Sequence, residues 1–138
     1  MSDIQYKAGD NIQSPELLNL YNDAGWANYT EDPDKLMGAV QNSLFTVTAR
    51  DGDQLAGFLR AIGDGLTIVY IQDILVLQKY RRQGIGRELL RIALERYASV
   101  RQIVLLTDKT QETKGFYENA GMKKAEELDL QAFVRIKN

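Results

Sequence analysis

The chain contains no cysteine and no histidine among its 138 residues. Lacking cysteine, it has no disulfides, no thiol nucleophile and no thiolate metal site. Lacking histidine, it is without the commonest general base and the commonest zinc ligand, so no metal centre is expected. Neither sign of charge dominates. Seventeen basic residues against nineteen acidic ones leave a net charge of −2, which gives no global pull toward nucleic acid or an anionic membrane, and neither is expected as a partner. No apolar run approaches a membrane span, and residues 1–20 lack the apolar core of a signal peptide, so the cytoplasm is the default location. There is no repeat, low-complexity tract or linker-like stretch, and a single domain over residues 1–138 is expected.

Proline is scarce, and both copies fall where helices begin. "SPELLNLYNDAG" (14–25) has Ser14 as a candidate N-cap and Pro15 in the first turn. "DPDKLMGAVQNS" (32–43) repeats the device, with Leu36, Met37 and Val40 on one helical face. The aromatic-rich "WANYT" connects the two. Strand signals follow. "SLFTVTAR" (43–50) meets "QLAGFLRAIGD" (54–64) across an Asp51-Gly52 turn, and "LTIVYIQDILVL" (66–77) is apolar enough to be a central strand. Ile85, Leu89, Ile92 and Ala93 recur at helical spacing over 84–98. "RQIVLLTD" (101–108) predicts a short buried strand, and "QETKGFYENAG" (111–121) a helix closed by Gly121. "MKKAEE" and "LQAFVRIK" predict two closing strands. The order βααβββαβαββ implies an α/β (α+β) fold: a mixed, mostly antiparallel sheet with helices on both faces.

The chemistry gathers where the central strand gives way to a helix. "RRQGIG" (81–86) places Gly84 and Gly86 at a helix start, where amides lacking intrahelical acceptors and the helix dipole favour an anion. Missing Cβ atoms let a phosphate approach the main chain. Lys79, Arg81, Arg82, Arg87 and Arg91 oppose a single acid there, Glu88, in a chain that is acidic overall. The seat suits a polyphosphate. The dinucleotide fingerprint fails, because Leu89 stands where its third glycine belongs and Val104 where its ribose-binding acid belongs. The triphosphate loop fails too, with "LLRI" replacing its Lys-Ser/Thr.

"RRQGIG", following "DILVLQKY" and opening a helix, resembles the Arg/Gln-x-x-Gly-x-Gly/Ala signature of the GCN5-related N-acetyltransferase (GNAT) superfamily. "GFYENAGM" (115–122) resembles that family's second signature, and the order of elements is similar over nearly the whole chain. The resemblance implies acetyl-coenzyme A as co-substrate and a primary amine as acceptor. It implies a pyrophosphate on the amides from Arg82 through Gln83, Gly84, Ile85 and Gly86 to Arg87, with Arg81 as the signature basic residue. It implies a pantetheine arm along Ile74, Leu75 and Val76, beside two splayed strands, one of them bulged at a point the sequence alone does not locate. Tyr117 matches the tyrosine that protonates the departing thiolate, a task suited to a phenol that stays protonated at neutral pH. Thr110 stands where many members carry a pantetheine-contacting asparagine, and its hydroxyl could still donate a hydrogen bond.

For the acceptor amine, a base is needed, and without histidine it is a carboxylate, a water chain or solvent. Asp73 interrupts a buried strand, where an acid is costly unless paired or used, so it is either the base or a structural cap. Tyr70 and Gln72 share the other face of an undistorted strand. Trp26 and Tyr29, with nearby acids, suit a cationic amine or simply pack helices on the sheet. The expected reaction is direct attack of a bound amine on the thioester, with no covalent enzyme intermediate. The alternative is an acyl-coenzyme A sensor without transferase activity. The closing strand "LQAFVRIK" could pair across a homodimer.

Overall fold

Two of the first three helices begin on a local device that the sequence supplies. In the computed structural model, which describes residues 3–137, α1 (Ser14–Asp23) starts one residue earlier than its serine suggests. Gln13 is the N-cap, and its amide donates to Glu16 Oε2 at 2.9 Å. The "WANYT" connection contains a helical turn of its own, α2 (Ala27–Thr30). Next, α3 (Pro33–Gln41) is capped by Asp32, whose carboxylate accepts from the Lys35 amide at 3.1 Å. Among the described residues no helix is long and apolar enough to cross a membrane.

Five strands form one sheet in the order β1-β2-β3-β4-β5. β1 (Ile4–Ala8), β2 (Phe45–Asp51), β3 (Gln54–Gly63) and β4 (Ile68–Val76) pair antiparallel, while β5 (Gln102–Val104) pairs parallel to β4. The β3–β4 turn is closed by Asp64, whose carboxylate accepts the amides of Leu66, Thr67 and Ile68. Leu17, Leu20, Tyr21, Leu36 and Val40 from the first helices pack with Leu55, Phe58 and Leu75 on one face. On the other face lies α4 (Ile85–Arg96), burying Ile85, Leu89, Leu90 and Ala93. It lies tight against Gly57, where a Cβ would meet Ile85 Cγ2 at 3.0 Å and the Leu75 carbonyl oxygen at 3.2 Å.

Two register slips shape the sheet. Ala49 faces Gly57 but Arg50 faces Leu55, so Ala56 is extra in β3, and its carbonyl accepts the Leu77 amide at 2.9 Å. Arg60 faces Asp73 but Ala61 faces Ile71, so Gln72 is extra in β4. Opposed residues share a sheet face, so the bulge at Gln72 reverses the parity of β4. Ile74 and Val76 lie on the α4 face and Asp73 and Leu75 on the α1 face; past the bulge Ile71 and Val69 take the α4 face and Tyr70 the α1 face.

By compactness the chain divides into residues 1–106 and 107–138. The second unit contains α5 (Gln111–Asn119) and a 3-10 turn at Ala125–Leu128. Here the sequence expectation is corrected. "MKKAEE" and "LQAFVRIK" are not strands: the first runs into that turn, and residues 131–137 carry no strand pairing. Strand-like composition makes no ladder without a partner edge.

Candidate active site

Between β4 and α4 the chain makes a short 3-10 turn, Gln78–Tyr80, pinned on two sides. Asp23 accepts the Gln78 amide at 2.8 Å, and Asp51 accepts the Tyr80 hydroxyl at 2.6 Å. The turn then opens into left-handed backbone at Arg82 (φ 65°) and at Gly84 (φ 81°), the N-cap of α4. Among the described residues, the six consecutive amides from Arg82 to Arg87 have no hydrogen-bond acceptor. The Arg81 amide before them reaches Gln78 and the Glu88 amide after them reaches Gly84. Consecutive amides left in this way attract an anion, and the dipole of the twelve-residue α4 adds to the attraction.

Arg81, Arg82, Gln83 and Arg87 are exposed around this seat, whereas the Ile85 side chain is turned into the core, so Ile85 offers only its amide. Arg87 Nη2 lies 3.5 Å from where a Gly84 Cβ would stand. Arg91, counted in the basic cluster from sequence, is spoken for: it donates to Glu88 at 2.6 and 2.9 Å and also to Glu95.

β4 leads into the seat with one side open. Its pairing with β5 ends at Tyr70–Val104, while β4 continues to Val76. Ile74, Leu75 and Val76 therefore lie on a strand with a partner on the β3 side and none on the β5 side among the described residues. Such an edge can hydrogen-bond an extended ligand as another strand would.

Behind the bulge sits a cluster that the sequence did not reveal. Asp73 Oδ2 accepts from Arg60 Nε at 2.7 Å and from the Tyr21 hydroxyl at 2.7 Å, while Arg60 Nη1 reaches Ser43 Oγ at 3.3 Å. Asp73 is 2% exposed and Tyr21 fully buried. Burial, and then the neighbouring Asp73 charge, push the Tyr21 phenol well above its ordinary range. The other Asp73 oxygen, Oδ1, is buried with no protein partner. Arg60 was the available signal, a charge in an otherwise apolar strand opposite an acid in the next.

Trp26 and Tyr29 are half-buried against the first-helix core. With Tyr21 they form an aromatic triangle, ring centroids 5.5–6.0 Å apart. Gln72, set free by the bulge, donates from Nε2 to the Tyr29 hydroxyl at 3.3 Å. Thus Asp73, Gln72, Trp26 and Tyr29 form one connected neighbourhood, and half-buried Tyr70 shares the Asp73 face.

In the second unit, Tyr117 lies on α5 beside Phe116, the rings edge-to-face at 4.9 Å. Burial raises its pKa above the ordinary phenol value. Thr110 is the α5 N-cap, its Oγ1 accepting the Thr113 amide at 3.1 Å, so that hydroxyl already has work within its own helix.

The profile of the Acetyltransferase (GNAT) family matches residues 11–122. A GNAT family acetyltransferase from Streptococcus pneumoniae is 32% identical, with a TM-score of 0.87 over 98% of each chain. An aminoglycoside acetyltransferase from a soil metagenome, solved with sisomicin, shares the fold at 18% identity and a TM-score of 0.67, over 97% of each chain. A Gibberella zeae protein with a provisional acetyltransferase name is 37% identical over 76 residues, which are 53% of this chain and 42% of that protein. The chain thus spans less than half the length of that curated relative. With the profile covering most of its residues, this chain belongs to the acetyltransferase (GNAT) family.

Proposed function

We propose that the protein transfers the acetyl group of acetyl-coenzyme A to a primary amine, a small molecule rather than a protein, by direct attack within a ternary complex. The observation that carries this reading is the run of six acceptorless amides from Arg82 to Arg87, placed where a half-open strand enters α4. The diphosphate would rest on those amides, with Arg81, Arg82 and Arg87 neutralising charge. The pantetheine arm would lie along Ile74, Leu75 and Val76, and Thr110 is the remaining candidate to touch it.

The amine nitrogen, once deprotonated, attacks the thioester carbonyl carbon. The N–C bond forms, the C–S bond breaks, and nitrogen sheds its remaining extra proton to a base. The departing sulfur takes a proton from Tyr117, which solvent then restores. Asp73 is the proposed base, acting through Oδ1, since Oδ2 already accepts two hydrogen bonds. Trp26, Tyr29, Tyr70 and Gln72 are proposed to hold the amine, aromatic faces suiting its cationic form.

The test is calorimetric titration with coenzyme A. Gly86→Val puts a branched side chain on the diphosphate's approach and is expected to weaken binding by about a hundredfold or more, since anion contacts of this kind are worth several kcal/mol together. Unchanged affinity in a folded variant would remove the seat from the mechanism.

A further inference from the structure

The stretch from Gln78 to Gly84 carries the chain from β4 to α4, and both of its ends are fastened to neighbouring residues of β3. Leu77 is buried and its amide donates to the Ala56 carbonyl at 2.9 Å, while Ile85 is buried against Gly57. Between these anchors Arg82 stands at φ 65°, a left-handed conformation that residues with a Cβ rarely adopt. Nothing at Arg82 itself offsets that cost: it is exposed, and its amide has no acceptor among the described residues. Strained backbone persists only where its surroundings over-determine it. Here the surroundings are two pins just upstream. The Tyr80 hydroxyl donates to Asp51 Oδ2 at 2.6 Å, and Asp51 is itself held in the sheet, opposite Ile4 in β1 and Gln54 in β3. Gln78 is held twice by the last residue of α1. Its backbone amide donates to the Asp23 carboxylate at 2.8 Å and its side-chain amide to the Asp23 carbonyl at 2.7 Å. With Gln78 and Tyr80 fixed on one side and Ile85 on the other, only Arg81 to Gly84 are left to make the turn, and Arg82 takes up the strain.

We infer that Tyr80, Asp51 and Asp23 are positioning residues for the co-substrate: they hold Arg82 left-handed before any ligand arrives, and so keep the amides from Arg82 to Arg87 ready for a diphosphate. None of the three has to touch that ligand. The inference rests on the function proposed above in taking the ligand to be coenzyme A. Released from its pins, Arg82 relaxes toward negative φ and the peptide units on either side of it turn. The share of molecules able to bind then falls, and apparent affinity falls by the same fraction. Steps after binding are untouched, so the loss belongs to KM and not to kcat.

Tyr80→Phe keeps the ring that packs against the first-helix core and removes one O–H, so the variant is expected to fold. Calorimetry with coenzyme A is expected to give about a tenfold weaker Kd. Steady-state assays should show a similar rise in the KM for acetyl-coenzyme A, with kcat changed less than about twofold. Asp23→Ala is expected to act in the same direction. Unchanged affinity in both variants overturns the inference. A double-mutant cycle separates positioning from packing. Asn tolerates left-handed backbone better than Arg, so in the Arg82→Asn background the Tyr80→Phe penalty is expected to shrink below about threefold. An undiminished penalty there would make Tyr80 a packing residue and overturn the inference. A readout free of ligand comes from the Cα and Cβ NMR chemical shifts of Arg82, which report backbone conformation. They are expected to be left-handed in the empty wild type and displaced toward negative-φ values in Tyr80→Phe. Identical shifts in the two proteins, or a wild type already at negative φ, overturn the inference whatever coenzyme A does. Should the wild type fail to bind coenzyme A, the acetyl-transfer reading falls, and the Arg82 shifts alone decide the pins.

Discussion

Arg60 donates from Nε to Asp73 Oδ2 at 2.7 Å, across two strands whose register slips by one residue immediately beside the pair. If the Ala61–Ile71 register ran on without a bulge, Arg60 would face Gln72 and the two charges would miss each other. The bulge and the ion pair therefore support one another. Both side chains are close to fully buried, so removing one leaves the other without compensation. Asp73→Asn is expected to cost about 3–5 kcal/mol in urea unfolding, whereas Arg60→Met combined with Asp73→Leu recovers most of it. A loss under about 1 kcal/mol for Asp73→Asn would mean that the pair does not hold the bulge.

That slip also marks how far the sequence could be read. The central strand, the turn with Gly84 and Gly86, and α4 follow from apolar runs and punctuation, which are local signals. The location of the bulge follows from how β3 and β4 pair, and no single strand encodes it. Hence Asp73 stood out as an anomalous acid while its partners Arg60 and Tyr21, 13 and 52 residues away, did not. The closing strands failed for a related reason: "LQAFVRIK" has the composition of a strand, but a ladder is a property of two segments.

Gly57 holds the site from behind. A Cβ there would press on Ile85, the first residue of α4, and on the Leu75 carbonyl. One of these is backbone and cannot swing aside. Gly57→Ala is expected to destabilise by about 1–3 kcal/mol through overpacking. By lifting the first turn of α4 it should also weaken coenzyme A binding, although residue 57 offers no group to that ligand. Thermal melting and calorimetric titration of the one variant report the two effects together, and a variant that melts lower but binds normally would show that α4 stays in place.

An ion cluster remote from the bulge contributes to stability at the acid end of the pH range. Arg50 bonds Asp10 Oδ2 at 2.8 Å and both oxygens of Glu16 at 2.8 and 2.7 Å. For Glu16 the Arg50 hydrogen bonds hold the carboxyl below its ordinary 4.5. For Asp10 burial pushes upward, but hydrogen bonds from Arg50 and Thr48 outweigh it and leave the group below 3.8. Depressed folded values stabilise the protein above the unfolded values, and that contribution disappears as pH falls through the folded ones. Unfolding free energy is thus expected to be flat near neutrality and to drop below about pH 4.5. Arg50→Met should lower the plateau and flatten the drop, and an unchanged acid slope in that variant would place the titration elsewhere.

Tyr117 carries the sharpest kinetic expectation. As the proposed acid it must hold its proton until sulfur departs, and burial raises its pKa above the ordinary phenol value of 10.0. A general acid loses activity as pH rises through its pKa, so any alkaline limb belonging to Tyr117 falls above pH 10, and rates at pH 7–9 should show none of it. Tyr117→Phe keeps the ring against Phe116 and removes only the O–H. Turnover is expected to fall about 10²- to 10⁴-fold, with coenzyme A affinity changed less than about threefold. Equal losses in both would recast the residue as packing. An acetyl thioester of a thiol more acidic than coenzyme A gives an independent check, because the penalty of Tyr117→Phe should shrink as the leaving group needs less protonation, and a constant penalty would take the proton transfer away from this tyrosine.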